Sequence, residues 1–181
     1  MTIEERIENP AKLSTLVPVE EYLSTMYHPD MDYVEGHLEE RNMGEKEHGK
    51  LQFRIVVFLQ RLGMEAFIET RLRISPSRYR IPDVCVYDQE PDEPVFTKPP
   101  LLCIEVLSPE DRMSRIMNVV KDYLSIGVPD VWVLDPLEKR AYSASVGVGF
   151  HEVSDHIVTG DGRLQFTLES IFSQEKLFRS N

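Results

Sequence analysis

The chain of 181 residues carries a net charge of −11, with 41% hydrophobic and 28% charged residues. This composition indicates one globular domain and excludes a broad nonspecific nucleic-acid coat, which needs an excess of Lys and Arg. No apolar run is long enough to cross a membrane, and the N-terminus lacks the order of a signal peptide. We therefore expect a cytoplasmic protein with no membrane partner. Cys85 and Cys103 lie in apolar segments and are interpreted as free buried thiols rather than a redox pair.

The N-terminal part of the chain has little regular patterning. We expect a loose arm over residues 1–17, a single domain over residues 18–175 and a short tail over residues 176–181. The domain is predicted to open with a short helix from Pro18, because proline is favoured in a first helical turn. A two-stranded hairpin follows, with its turn at Gly36.

A helix is predicted over residues 45–62, where apolar residues recur at helical spacing. His48 lies on the same stripe, either as a core histidine or as a site residue at the helix start. Residues 64–74 are expected to form one strand, and a second strand contains Asp83. Pro82 just before it cannot donate a ladder hydrogen bond and marks a strand start, edge or bulge.

The segment LLCIEVLS is almost continuously apolar, which is typical of a central strand covered on both faces. A helix that starts within the segment SPEDR, residues 108–112, and ends near Ile126 is predicted next. A strand containing Trp132 follows it, and this order predicts a crossover with parallel pairing. Further strands are expected up to residue 173. The predicted fold class is α/β, with a mixed central sheet flanked by helices, an N-terminal helix and hairpin, and C-terminal strands.

Two acidic residues, Asp83 and Glu105, interrupt the two apolar strands. A buried charge must be paired, protonated or bound to a metal, and two such charges at similar positions suggest one shared site. A divalent cation would remove their mutual repulsion, and oxygen ligands favour Mg²⁺ or Mn²⁺. The backbone carbonyl of Val106 is a further candidate ligand. The histidines and cysteines show no zinc-binding spacing, and we expect no organic cofactor.

The densest basic cluster leads directly into Asp83 and consists of Arg71, Arg73, Arg78 and Arg80. It is either a solvated face or a rim that contacts phosphates. Arg112 and Arg115, near the start of the following helix, are further candidate nucleic-acid contacts.

Several short motifs occur in a fixed order along the chain. They are Glu35-Gly36, His48, Pro82-Asp83-Val84, Glu105-Val106-Leu107-Ser108-Pro109, Tyr123, Gly127-Val128 and Trp132-Val133-Leu134-Asp135-Pro136. Over about residues 18–173 this set resembles the Uma-type family of restriction-endonuclease-like proteins, within the PD-(D/E)XK nuclease superfamily. The resemblance implies a metal-dependent DNA endonuclease in which Asp83 and Glu105 hold Mg²⁺ or Mn²⁺ and Glu35 is a third catalytic carboxylate, or else a solvated turn residue.

The chain departs from the superfamily pattern at the catalytic lysine. Leu107 stands at the usual lysine position, and Val119 stands at the position from which Uma-type proteins are expected to supply the lysine. Lys121 is the nearest substitute as a catalytic residue, although its place on the polar side of the helix favours a solvated helix residue.

Three functions remain open from the sequence. The first is a DNA endonuclease acting as a homodimer, since symmetric cleavage of two strands needs two sites. The second is a nuclease-fold module that has lost catalysis and binds nucleic acid or protein. The third is a two-carboxylate acid–base hydrolase of a non-phosphate substrate.

Overall fold

A computed structural model of the chain describes residues 16–42 and 44–173. Almost all of the predicted arm and the whole predicted tail lie outside the described residues. The helices are α1 (Val19–Ser24), α2 (Lys46–Arg61), α3 (Met113–Ser125) and α4 (Leu168–Phe172). The strands are β1 (Met31–Val34), β2 (His37–Glu40), β3 (Glu65–Ile68), β4 (Leu72–Ser75), β5 (Arg78–Arg80), β6 (Val84–Tyr87), β7 (Leu102–Val106), β8 (Asp130–Asp135), β9 (Arg140–Ser145), β10 (Gly149–Val153), β11 (His156–Val158) and β12 (Gln165–Thr167).

The central sheet has six strands in the order β10-β9-β8-β7-β6-β3. Strands β7 and β8 are parallel, with Leu102 opposite Asp130 and Val106 opposite Leu134, while every other neighbouring pair is antiparallel. Helix α3 makes the crossover between the two parallel strands. The predicted mixed sheet and its helical crossover are therefore confirmed.

A helix covers each face of this sheet. On one face, Leu51 and Ile55 of α2 belong to a core cluster with Trp132. On the other face, Ile116 and Tyr123 of α3 belong to a second cluster. All five residues of β7 are buried, which explains why its sequence lacks the alternation of a half-exposed strand. Each large apolar side chain buried here contributes about 1.5–3 kcal/mol, whereas the charge of Glu105 opposes its burial.

A second, four-stranded sheet has the order β2-β1-β5-β4. The single strand predicted for residues 64–74 is therefore wrong, because this segment forms two strands, β3 in the central sheet and β4 in the smaller one. The chain turns at Glu69, which has a positive φ of 47°. A second transfer between the sheets follows, because β5 ends at Arg80 and β6 begins at Val84. Asp83 therefore lies at the junction of the two sheets.

Some predicted boundaries are also wrong. Helix α3 begins at Met113 rather than within SPEDR, because the Asp111 carboxylate accepts the Ser108 N–H and closes a turn there. The last predicted strand becomes helical after β12, where the Thr167 hydroxyl accepts the Ser170 N–H and caps α4. No helix in the described ranges is long and apolar enough to span a bilayer.

The two cysteines are direct cross-strand neighbours, with Cys85 of β6 opposite Cys103 of β7. Both are free and fully buried. Burial raises the pKa of Cys85 to about 12. The reactive species of cysteine is the thiolate, so neither thiol is poised for chemistry at neutral pH.

Candidate active site

Asp83 and Glu105 lie side by side at the junction of the two sheets. Val84 pairs with Ile104 in the antiparallel ladder of β6 and β7, and one further step of this register sets Asp83 opposite Glu105. Directly opposed residues have Cβ atoms about 4.5–5.5 Å apart. Both side chains are buried, at 4% and 6% exposure. The structure thus brings together the two carboxylates that the sequence singled out.

The Asp83 carboxylate is bound by three groups of the protein itself. Arg41 Nη2 donates to Oδ1 at 2.5 Å, and the backbone N–H of Val106 donates to Oδ2 at 2.7 Å. His48 Nε2 lies 3.3 Å from Oδ2. Gln52 fixes the backbone as well, because its side-chain amide donates to the Asp83 carbonyl at 2.9 Å. The orientation of Asp83 is therefore set by α2, β7 and the segment after β2.

Glu105 has a different environment. Its Oε1 accepts a 2.6 Å hydrogen bond from the hydroxyl of Tyr123 on α3. Burial, and next the negative charge of Asp83, raise the pKa of Glu105 to about 8, although Arg41 and Tyr123 act in the opposite direction. Unless a further positive charge is added, Glu105 therefore holds its proton at neutral pH.

Arg41 and His48 complete the polar shell of the pair. Burial alone would lower the pKa of His48, but its hydrogen bond with Asp83 and the charge of that residue raise the value overall. Burial opposes the charge of Arg41 too, yet Asp83 and then Glu105 raise its pKa. Sequence patterning offered His48 as a site residue but gave no signal for Arg41, whose position after the hairpin is irregular.

A network of buried ion pairs lies beside the acidic pair. Arg80 donates to Asp122 at 2.8 Å, to Asp32 at 3.0 Å and to Glu39 at 2.7 Å. Arg115 donates to Asp32 at 3.1 Å. This network joins the smaller sheet to α3. Because α3 carries Tyr123, the network also helps to hold the Tyr123 hydroxyl in place against Glu105.

An open groove of about 580 Å³ leads to Asp83. Arg41 and His48 line it together with Asp83, and Asp30 and Glu69 contribute acidic groups to its walls. Solvent and small ions can therefore reach the Asp83 side of the pair.

The sequence profile of a known family matches residues 19–154, and the family, Uma2, is described as "Putative restriction endonuclease". The chain belongs to the Uma2 family. The fold is also similar to the crystal structure of a putative nuclease belonging to DUF820 from Anabaena variabilis, with a TM-score of 0.73 and 20% identity. That match covers 87% of this chain and 98% of the other. No curated protein matches the chain.

Membership of Uma2 confirms the resemblance inferred from the ordered motifs, and it supports a nuclease-like function, that of a hydrolase acting on phosphodiester bonds. The similarity to the DUF820 structure confirms the fold class. The identity to that structure is low, so it is evidence for the fold alone.

Among residues 16–42 and 44–173, no lysine forms an ion pair or side-chain hydrogen bond with Asp83 or Glu105. Lys121 is exposed on α3. It lies two residues from Tyr123, so about 200° separates the two side chains around the helix, and Tyr123 is the one that contacts Glu105. Val119 faces the core at 2% exposure. The suggestion that Lys121 is a catalytic residue is corrected accordingly.

The third carboxylate is also different from the one expected. Glu35 has a φ of 50° in the hairpin turn, and its carboxylate binds Ser77 and Arg78 rather than the acidic pair. Asp32, three residues earlier, is the buried acid of β1 and interacts electrostatically with Glu105. The signal available in the sequence was an acid inside a strand, the same signal that identified Asp83.

Most of the arginine cluster is structural. Arg80 is buried among three carboxylates, and Arg78 binds Glu35 and Asp122. Arg71 donates to the carbonyls of Leu23 and Thr25 and lies over the ring of Tyr22. The expectation that these three arginines contact phosphate is corrected, because their guanidinium groups already have partners within the protein.

The remaining arginine candidates are placed differently. Arg73 and Arg112 are exposed. Arg115 is half-buried and binds Asp32 and Asp111. Of the six arginines proposed from the sequence, Arg73 and Arg112 are therefore the two that are exposed to solvent.

The donor set suits a hard divalent cation. Within residues 16–42 and 44–173, no three His, Cys, Asp or Glu side chains are arranged to hold a metal ion. Mg²⁺ needs fewer protein ligands, since one or two carboxylates with water and substrate phosphate suffice. Asp83, Glu105 and the carbonyl of Val106 therefore fit Mg²⁺ or Mn²⁺ in type and number.

The raised pKa of Glu105 predicts a pH dependence of stability in the metal-free protein. The pKa rises from an ordinary 4.5 to about 8 on folding. The stability that the protonated Glu105 carboxyl contributes is therefore fully present below the unfolded-state pKa of 4.5. It is lost as the pH rises through the folded-state pKa of about 8. Relative to Glu105→Gln, the free energy of unfolding should fall by roughly 1–3 kcal/mol between about pH 5 and pH 8. Urea unfolding of the parent and of Glu105→Gln across this pH range measures the difference. If the two free energies of unfolding changed with pH in parallel, the prediction would be refuted.

Proposed function

We propose that this protein is a metal-dependent DNA endonuclease in which Asp83 and Glu105 hold Mg²⁺ or Mn²⁺. The main supporting observation is the juxtaposition of two buried carboxylates in a nuclease-type fold, with Asp83 directly before β6 and Glu105 on the adjacent β7. Burial, and next the negative charge of Asp83, keep Glu105 protonated without an additional cation. A carboxylate pair whose Asp83 member lines an open groove is a suitable environment for such an ion.

Each residue of the shell has a distinct task in this proposal. Asp83 and Glu105, with the Val106 carbonyl, would hold the cation, whose chemistry there would be to lower the pKa of a water molecule and to neutralise charge on the phosphodiester. Tyr123 orients Glu105 through its 2.6 Å hydrogen bond. His48 and the Val106 N–H orient Asp83. DNA reaches these groups through the groove.

Contacts to the DNA backbone come from the exposed cations. We assign this role to Arg73 and Arg112, whose side chains face solvent. The net charge of −11 means that such contacts are few, because each neutralised phosphate needs a local positive charge. A homodimer would place two such sites on the two strands of a duplex.

The proposal is tested by nicking of supercoiled plasmid DNA with Mg²⁺ or Mn²⁺. Nicked circles should form with either ion and should disappear with EDTA. Glu105→Gln, purified in the same way, should be inactive, while the matched surface variant Glu138→Gln should keep the parent rate. If nicking persisted in Glu105→Gln, the activity would come from a contaminating nuclease, and the assay would no longer support the proposed function.

A second candidate function is a nuclease-fold module without catalysis that binds nucleic acid or protein. The exposed Lys121 and the buried Val119 favour it, because neither presents an ammonium group to the acidic pair. Absence of nicking across both metals and across single- and double-stranded DNA, together with retained DNA binding, would establish this function instead.

A further inference from the structure

Arg41 is the positive group that directly neutralises the acidic pair. It follows β2 directly, and its guanidinium reaches Asp83 Oδ1 at 2.5 Å. Its side chain is 14% exposed and lines the groove that gives access to Asp83. The charges of Asp83, Glu105 and Asp32 all act on it. Among the described arginines and lysines, Arg41 is the one whose side chain forms an ion pair with Asp83.

A divalent cation at the pair would need the same side of Asp83. Oδ2 already accepts the Val106 N–H at 2.7 Å and lies near His48, whereas Oδ1 accepts from Arg41 alone among the hydrogen bonds of the described residues. A guanidinium and a divalent ion repel each other strongly at contact distance in a poorly solvated site. Binding of the ion at Oδ1 and the Arg41–Asp83 pair are therefore mutually exclusive.

We infer that Arg41 is a built-in counter-ion that competes with the divalent cation for Asp83 and thereby sets the metal affinity of the site. The inference rests on the proposed function, which supplies the cation. Arg41 is a positioning residue here and not a catalytic one: it acts through Asp83. Its long side chain lines a groove of about 580 Å³, which provides the space into which the guanidinium moves when the ion binds.

The expected change in Mn²⁺ affinity follows from the fraction of molecules in which Asp83 is not paired with Arg41. When a competing arrangement occupies the site for most of the time, the apparent affinity falls by the fraction of molecules that are competent to bind. Arg41→Gln removes the charge but keeps a side-chain amide near Asp83. Its dissociation constant for Mn²⁺ should be lower than that of the parent by roughly tenfold or more.

Calorimetric titration of the metal-free full chain with MnCl₂ measures this directly, without reference to catalysis. Arg140→Gln is the matched control, because Arg140 is an exposed arginine of β9 paired with Glu152 and its loss changes the net charge equally. Its Mn²⁺ affinity should equal that of the parent. Arg41→Lys should fall between the parent and Arg41→Gln, since lysine keeps the charge without the planar fork.

A second readout covers the case in which Arg41→Gln folds poorly. Without Arg41 the pair lacks its main counter-ion, so the variant should melt at a lower temperature than the parent when metal-free. Saturating Mn²⁺ should then raise its melting temperature by more than it raises that of the parent. The additional Asp83→Asn change should cancel both the gain in affinity and the larger thermal shift.

The outcomes separate the two proposals. Equal Mn²⁺ affinity in the parent and Arg41→Gln would overturn the role of Arg41 and leave the metal-dependent function intact. An equal gain in Arg140→Gln would also overturn it, because the effect would then be one of net charge. Absence of Mn²⁺ binding to every variant would overturn both proposals.

Discussion

Replacing Arg80 by methionine is expected to lower the free energy of unfolding by about 3–5 kcal/mol. Arg80 is 4% exposed and donates to the carboxylates of Asp32, Glu39 and Asp122. Methionine fills a similar volume but leaves two buried acids each with a single remaining arginine partner. A buried carboxylate that loses one of its two arginine partners is only partly compensated, and the loss is large because the buried group cannot regain its hydration.

Urea unfolding of Arg80→Met against the parent measures this loss. Arg140→Met is the matched control, since it breaks an exposed pair with Glu152, and exposed pairs contribute little. Its unfolding midpoint should stay close to that of the parent. Adding Asp122→Asn to Arg80→Met should restore part of the stability by removing one of the stranded charges. An Arg80→Met protein as stable as Arg140→Met would show that the network is not energetically important.

Replacing Asp83 by asparagine is expected to reduce metal-dependent plasmid nicking by about a thousandfold or more, which corresponds to roughly 4 kcal/mol of lost transition-state stabilisation. The amide keeps the shape of the side chain, and its oxygen can still accept from Val106. It lacks the charge that would hold a divalent ion, and it no longer forms an ion pair with Arg41.

The measurement is the initial rate of nicking at saturating Mn²⁺, with circular dichroism to establish that the variant is folded. Asp130→Asn is the control, because Asp130 is equally buried at 4% exposure and binds the Gly160 N–H at a separate place in the fold. It should nick DNA at nearly the parent rate. If the two variants lose activity to the same extent, Asp83 has no special role and the proposed metal site is wrong.

The sequence predicted the parts of the fold whose residues repeat with a clear period. Helices α2 and α3, the fully buried β7 and its parallel partner β8 all have long apolar patterns that only one type of element can bury. Asp83 and Glu105 were visible for the same reason, since an acid within an apolar strand breaks the pattern. Both stood out without any knowledge of the tertiary structure.

The remaining features depend on contacts between distant segments. The transfers between sheets at Glu69 and before Asp83 were missed because short alternating strands look the same in either sheet. Arg41 lies 42 residues from its partner Asp83, and Arg80 was taken for a surface cation because three acids from elsewhere in the chain surround it. Local patterns carry no information about such long-range pairing.

The hairpin of β1 and β2 serves two ends of the molecule at once. Asp32 and Glu39 belong to it and bind the buried Arg80, while Arg41 follows it directly and reaches Asp83. An insertion or deletion in this short segment would therefore shift the charges beside the acidic pair and loosen the attachment of the smaller sheet together. The length of the hairpin is constrained from two directions, and evolution cannot adjust one without the other.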